Sequence, residues 1–296
     1  MGRTRGIRIV DVFTEKPLAG NQLAVVLDGR DLSTEAMQRI AREMNFSETT
    51  FIFPPEDSAN AAKVRIFTPW SELRFAGHPT IGTAWVLLDE GIAAGGRLTL
   101  EEGVGPIAVR SMKENGRTML WMTFPEMSFG QVFPHASVAA ALGVKESDLV
   151  PDAPAQIASS GTPFLLVALR SPGAVDAAVS DAKRLAKLLR NQAVALFFFA
   201  KAGPNRFYSR MFAPDLAEDP ATGSASGPLG GYAVKYGLVE RAPRIPLVSE
   251  QGTKMGRQSF LHIELAYSDE SADIPSRIEV GGSVMPVLKG ELSDFS

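Results

Sequence analysis

The sequence predicts a strand-rich α/β protein built from two similar domains, and three observations lead there. The chain has 296 residues, long for one compact core and comfortable for two. Short β-branched and aromatic runs outnumber helical patterns, and the few helices are well marked. Segments also repeat, in order and at a nearly constant separation. Gly20–Val26 (GNQLAVV) meets Gly161–Val167 (GTPFLLV), Arg65–Pro69 (RIFTP) meets Arg210–Pro214 (RMFAP), and His78–Ala84 (HPTIGTA) meets Asp219–Ala225 (DPATGSA). Three matches in register indicate a duplicated domain. The boundary is expected between Phe124 and Phe133, giving domains over 1–128 and 129–296.

The elements follow in order. Ile7–Phe13 and Leu23–Leu27 read as strands. Ser33-Thr34-Glu35 opens a helix whose Met37, Ile40, Ala41 and Met44 share one face, and Asn45 ends it. Thr49–Phe53 and Lys63–Phe67 are strands, and Ser71–Phe75 is a short one. In the following AGHPTIGTAWVLLDEG, Pro79 suits the first helical position, where a missing N–H costs nothing, and Gly91 suits the C-terminal cap. Leu98–Leu100, Ile107–Arg110 and Met119–Phe124 are further strands. The apolar run Ala193–Ala200 (AVALFFFA) falls far short of the roughly 20 residues that span a bilayer, so it reads as a buried strand. Pro228 is a poor helix-interior residue. The helix of the second copy is therefore expected to begin near Ser224 or Ala225 and to leave the N–H groups of Gly223 and Ser224 available.

Composition narrows the function. Apolar residues make up 45%, charged residues 21%, and the net charge is −3. No basic face is implied, so neither nucleic acid nor an anionic membrane is an expected partner. The chain has no cysteine, which excludes disulfides, zinc–thiolate sites, iron–sulfur clusters and thiol nucleophiles. The N-terminal MGRTRGIRIVDVF reads as a strand rather than a signal peptide. A cytoplasmic protein is the expectation. His78, His135 and His262 form no i, i+4 pair, and no metal site is expected. The P-loop, the Rossmann glycine pattern and the nucleophile elbow are absent.

The repeated motifs remain. Each copy reads as a strand, a turn and then a helix, with a polar residue before proline (His78, Asp219) and a glycine with a hydroxyl behind it (Gly82 and Thr83, Gly223 and Ser224). Unpaired N–H groups at a helix start attract anions. Two such starts brought together would hold a small carboxylate. Ordinary helix capping is the competing reading. Glu48, in NFSETTFIF, enters an aromatic strand. Beside Phe46 and Phe51 it is either a partly desolvated base or an exposed loop carboxylate. Arg210 pairs with either a substrate or a buried carboxylate.

Five stretches carry a resemblance: VDVFTEKPLAGNQLAVV, MQRIAREMNFSETTFIF, RIFTPWSELRFAGHPTIGTA, SRMFAPDLAEDPATGSASGPL and QGTKMGRQS. Together they resemble the phenazine-biosynthesis isomerase family over nearly the whole chain. The resemblance implies a diaminopimelate-epimerase-like fold: two pseudo-symmetric domains, each a curved, mostly antiparallel sheet or barrel around a central helix, with the active site in the cleft between them. It further implies a homodimer and a cofactor-independent isomerase acting on a small carboxylic acid, such as trans-2,3-dihydro-3-hydroxyanthranilate. By the same resemblance Glu48 is the acid–base group, with His78, Asp219 and Ser224 as further catalytic residues. Ser47, Gly77, Thr83 and Gly223 bind substrate. A non-catalytic carboxylate binder of the same fold is the alternative. Arg74 departs from the family pattern, which has proline there, and is expected to alter what enters the site.

Overall fold

The computed structural model describes residues 4–293 except 115, 191, 215, 217, 270 and 271. The chain divides into two compact units, one of residues 1–123 and 281–296, the other of residues 124–280. The first boundary lies five residues before the expected 128/129 split. The larger difference is that the C-terminal stretch returns to the first unit, because its strand pairs with the N-terminal one.

In the first unit the strands are β1 (Arg5–Val12), β2 (Asn21–Val26), β3 (Glu48–Phe53), β4 (Ala62–Phe67), the two-residue β5 (Glu72–Leu73), β6 (Arg97–Glu102), β7 (Gly105–Glu114) and β8 (Arg117–Thr123). Helix α1 (Thr34–Met44) connects the parallel pair β2 and β3, and α2 (Gly77–Asp89) lies between the parallel β4 and β6. The order β1-β2-β3-β4-β6-β7-β8 is closed by the last strand of the chain, which pairs antiparallel with β1 from Arg5↔Leu292 to Val12↔Val284. The result is a closed eight-stranded barrel with no free edge.

The local causes are legible. The Ser33 side chain accepts from the N–H of Ala36 at the start of α1, and Asn45 takes the left-handed conformation at its end. Met37, Ile40 and Ala41 form the buried face, as the spacing predicts. Helix α2 is different: apolar and small residues surround it, and ten of its residues are buried. A helix without a polar face needs a surrounding wall, and the barrel supplies it. A Cβ added at Gly82 would lie 2.5 Å from Leu23 Cδ2 and 2.8 Å from Val12 Cγ2, so glycine is what lets α2 approach β1 and β2. Gly91 follows the helix at φ +68°, as expected for a C-terminal turn. At that end Glu90 receives a two-pronged hydrogen bond from Arg8 of β1 (2.7 Å each) and another from Lys289 (3.0 Å).

In the second unit come β9 (Ser128–Phe133), α3 (His135–Leu142), β10 (Ala155–Ser159), β11 (Pro163–Leu169), α4 (Pro172–Ala177), α5 (Ala182–Leu189), β12 (Ala195–Gly203), β13 (Arg206–Phe212), α6 (Gly223–Lys235), β14 (Arg244–Gln251) and β15 (Ser259–Ala266). The chain then enters β16 (Arg277–Leu292), whose later part closes the barrel of the first unit. The topology repeats that of the first unit. A parallel pair, β11 and β12, is bridged by helices, and a second, β13 and β14, is bridged by the buried α6. The AVALFFFA run enters β12, and its Ala195–Ala200 portion is buried on both faces. Phe198 packs in the cluster with Leu185 and Phe212, while Phe199 meets Tyr232 of α6 edge-on at 5.7 Å. No helix among the described residues is long and apolar enough to cross a membrane.

One expectation needs correcting. Helix α6 begins at Gly223, not at Ser224 or Ala225, and Pro228 lies inside it. Pro228 takes from the helix only the bond its N–H would give to Ser224. The regular ladder of α6 opens with the Ser226 N–H donating to the Thr222 carbonyl at 3.2 Å.

Candidate active site

Two polar constellations stand at the starts of the two buried helices. In the first unit, α1 ends at left-handed Asn45, and the chain turns through Phe46 and half-buried Ser47 into β3. Glu48 is the first residue of that strand, opposite Leu23 of β2. His78 is the second residue of α2, 4% exposed. Its Nε2 lies 3.4 Å from Glu48 Oε2, and both atoms are buried. Its Nδ1 lies 3.2 Å from the side-chain amide nitrogen of Asn21, itself buried at the start of β2. With Nδ1 accepting from Asn21, the ring proton sits on Nε2, toward Glu48. Burial pushes the imidazole down to about 3, against a backbone hydrogen bond to Gln22 that works the other way. His78 is thus a neutral hydrogen-bonding group at ordinary pH. Gly77, the first residue of α2, is buried beside it, and the helix places its N–H among those without an intrahelical acceptor.

Thr83, the hydroxyl residue of the first motif, lies in the second turn of α2. It is fully buried, and its hydroxyl lies 2.9 Å from that of Thr50 on β3. That contact ties α2 to the barrel wall. Arg74 donates from two nitrogens to the Gly103 carbonyl, at 3.1 and 2.7 Å, so its guanidinium is committed to a neighbouring turn.

In the second unit, Asp219 is 5% exposed and accepts a 2.6 Å hydrogen bond from the Thr222 hydroxyl. Gln251, at the end of β14, clamps the turn: its amide donates to the Asp219 carbonyl (2.8 Å) and to Thr222 Oγ1 (2.9 Å), and its carbonyl accepts from the Thr222 N–H (3.0 Å). Gly223 and Ser224 open α6, both buried. Arg210 holds Glu218 through two 2.8 Å hydrogen bonds and gives its remaining nitrogen to the carbonyls of Val175 and Ala178. Arg210 thus pairs with a carboxylate, that of half-buried Glu218. Among the described residues no group of three or more His, Cys, Asp or Glu is placed to hold a metal ion.

Asn21 and Gln251 are the contributors that sequence reasoning passed over. Both lie inside the motifs GNQLAVV and QGTKMGRQS, and an amide next to a glycine at a strand end was the available signal.

The comparisons now bear on this geometry. The family pattern described as phenazine biosynthesis-like protein matches residues 10–290. This chain belongs to that family. A trans-2,3-dihydro-3-hydroxyanthranilate isomerase from Pseudomonas chlororaphis is 37% identical over 96% of this chain and 98% of its own length. The isomerase of the same name from Pseudomonas aeruginosa is 36% identical over 95% and 97%. A crystal structure of a phenazine biosynthesis protein of the PhzF family from Bacillus anthracis superposes with a TM-score of 0.88 at 25% identity, covering 98% of this chain and 99% of that one. The fold extends further: a probable proline racemase from Agrobacterium radiobacter matches with a TM-score of 0.68 at 12% identity, over 98% and 93%. The family member described here is an isomerase of this mixed α/β, epimerase-like fold, with a small-molecule substrate.

Proposed function

We propose that this isomerase moves a proton on a small cyclic amino or hydroxy carboxylic acid, with Glu48 as the acid–base group and no cofactor. The observation that carries the reading is the pairing of a buried carboxylate oxygen, Glu48 Oε2, with the neutral imidazole of His78 at the first turn of α2. A neutral His78 donates a hydrogen bond without competing for the proton being moved. Glu48 takes a proton from a substrate carbon, the electron pair spreads over the adjacent unsaturated system, and Glu48 returns the proton at another carbon. No electrons are gained or lost, and no group leaves. The helix-start amides around Gly77 act on the substrate carboxylate, where donors stabilise the delocalised anion. Ser47, one residue before Glu48, contributes a hydroxyl to the same binding.

The proposal extends to Asp219, Ser224 and Gly223 as contributors to the same reaction, with Asp219 orienting the substrate's amino or hydroxyl group. The relatives' substrate, trans-2,3-dihydro-3-hydroxyanthranilate, is the first candidate. A cytoplasmic homodimer completes the reading, checked by sedimentation and cell fractionation.

The test is hydrogen exchange. Candidate acids are incubated with the protein in deuterated water and followed by NMR. Wild type is expected to incorporate deuterium, and Glu48→Gln to slow this by about 100-fold or more, the size of a lost general base. Asp219→Asn is expected to slow it as well. Equal incorporation by wild type and Glu48→Gln removes Glu48 from the mechanism.

A further inference from the structure

Strand β6 alternates as a barrel strand does: Leu98, Leu100 and Glu102 point inward. A carboxyl therefore stands where the pattern calls for a third apolar side chain, and Glu102 is 8% exposed. Its Oε1 lies 2.6 Å from the Thr80 hydroxyl, and that same hydroxyl lies 2.7 Å from the Ala76 carbonyl. A hydroxyl has one proton to give, so it cannot donate to both. If Glu102 were ionised, Thr80 would donate to it, and the Ala76 carbonyl would keep only the 3.3 Å bond from the Thr80 N–H. If Glu102 holds a proton, it donates to Thr80, Thr80 donates to Ala76, and both short contacts are hydrogen bonds. The other oxygen, Oε2, is buried without a hydrogen-bond partner among the described residues, a costly place for negative charge.

We infer that Glu102 is a neutral carboxylic acid that, through Thr80, fixes the Ala76 carbonyl and with it the start of the helix that carries His78. Ala76 caps α2 with no side-chain hydrogen bond of its own, so this relay is what anchors the turn. Burial pushes the Glu102 carboxyl up to about 8 and outweighs the Thr80 hydrogen bond, which acts in the other direction. Glu102 lines a cavity of about 960 Å³ together with Lys63 and Arg65 of β4, Glu72 of β5, Arg74 and Glu101. Each of these is engaged elsewhere. Lys63 pairs with Glu56, Arg65 with Glu72, and Arg74 with the Gly103 carbonyl. Glu101 accepts from Asn60 and from the N–H groups of Glu56 and Asp57, and Asp57, also on the rim, accepts from the Ala59 N–H. From α2 the nearest titratable group in sequence to Thr80 is neutral His78. The importance of this relay for turnover rests on the proposed role of His78; the proton on Glu102 does not.

Two measurements test it, and neither needs turnover, so failure of the isomerase proposal is read separately by the exchange experiment. The first is Tm against pH for wild type and Glu102→Gln, whose amide can still donate to Thr80. The folded carboxyl keeps its proton to about 8, while the unfolded one loses it near its ordinary value. The carboxyl's contribution to stability is therefore lost as pH rises through that window, and the variant carries no such loss. The Tm advantage of Glu102→Gln is expected to grow from pH 5 to pH 8. An advantage that stays flat overturns the neutral acid. The second is the ring NMR signal of His78. It is expected to show a transition centred near pH 8 in wild type, well above its own titration, and none in Glu102→Gln or Thr80→Val. Thr80→Val leaves the carboxyl in place and removes the hydrogen bond that lowers its pKa. The carboxyl therefore still costs Tm, relative to Glu102→Gln, as pH rises from 5 to 8, while the relay is gone. Absence of the transition in wild type, or its persistence in either variant, overturns the positioning role.

Discussion

His78 is buried at the first turn of α2, and burial holds its imidazole uncharged down to about 3. That depression has a thermodynamic sign. The unfolded chain binds a proton at this side chain below about 6.5 and the folded chain does not, so the stability it contributes is complete above that value and is lost as pH falls toward 3. Replacement by asparagine removes the imbalance. The change in Tm on going from pH 7 to pH 5 is expected to be more favourable in His78→Asn than in wild type, and an equal change would mean that the imidazole is protonated in the fold. Residue type and position made His78 and Asp219 candidates, each a polar group before proline at a helix start with capping as the competing reading, while Glu48 owed its role to the family resemblance. What the sequence could not show is direction. Thr83 carries the same hydroxyl as any ligand-binding threonine, and only the fold reveals that it faces Thr50. Glu102 was legible in principle, since it continues the inward register of Leu98 and Leu100, but LTLEE reads equally as a strand running out into solvent.

At the level of elements, the turn before α6 is held by one side chain from another strand. Gln251 satisfies three polar groups of the Asp219–Thr222 turn at once and is itself fully buried. Gln251→Met keeps the volume and removes every one of those bonds. With buried groups left unsatisfied, a loss of about 2–4 kcal/mol is expected in urea unfolding. Gln251→Glu keeps the acceptor and should cost less if the carboxyl is taken up protonated. A loss below 0.5 kcal/mol (roughly that of an ordinary surface substitution) in Gln251→Met would show that the turn holds itself. Helix existence and most strands followed from periodicity and turn residues. The exact start of α6 did not, because Pro228 argued for a later one. The surrounding sheet outweighs that local preference: twelve residues of α6 are buried, and tertiary packing overrides the price of a single missing N–H.

For the molecule as a whole, the duplication was readable from paired segments, and the repeated parallel pairs bridged by helices bear out the shared architecture. The return of the C-terminal strand to the first unit was not readable. Pairing of Arg5 with Leu292 is a contact between opposite ends of the chain, and nothing in local alternation encodes a partner at that distance. Removal of residues 281–296 takes away the strand that pairs with β1 and leaves two barrel edges open. The truncated protein is expected to lose the cooperative unfolding transition of the first unit in circular dichroism and calorimetry, while a transition for residues 124–280 survives. A truncated chain with both transitions intact would deny the closing strand its role. The same feature orders biosynthesis. The wall around α2 lacks one stave until the final segment has left the ribosome, whereas every residue assigned to the second unit emerges before it. During translation the later-encoded unit can finish first, and the nascent β1 edge waits exposed for a mate made last. Chaperone capture is therefore to be sought on that edge.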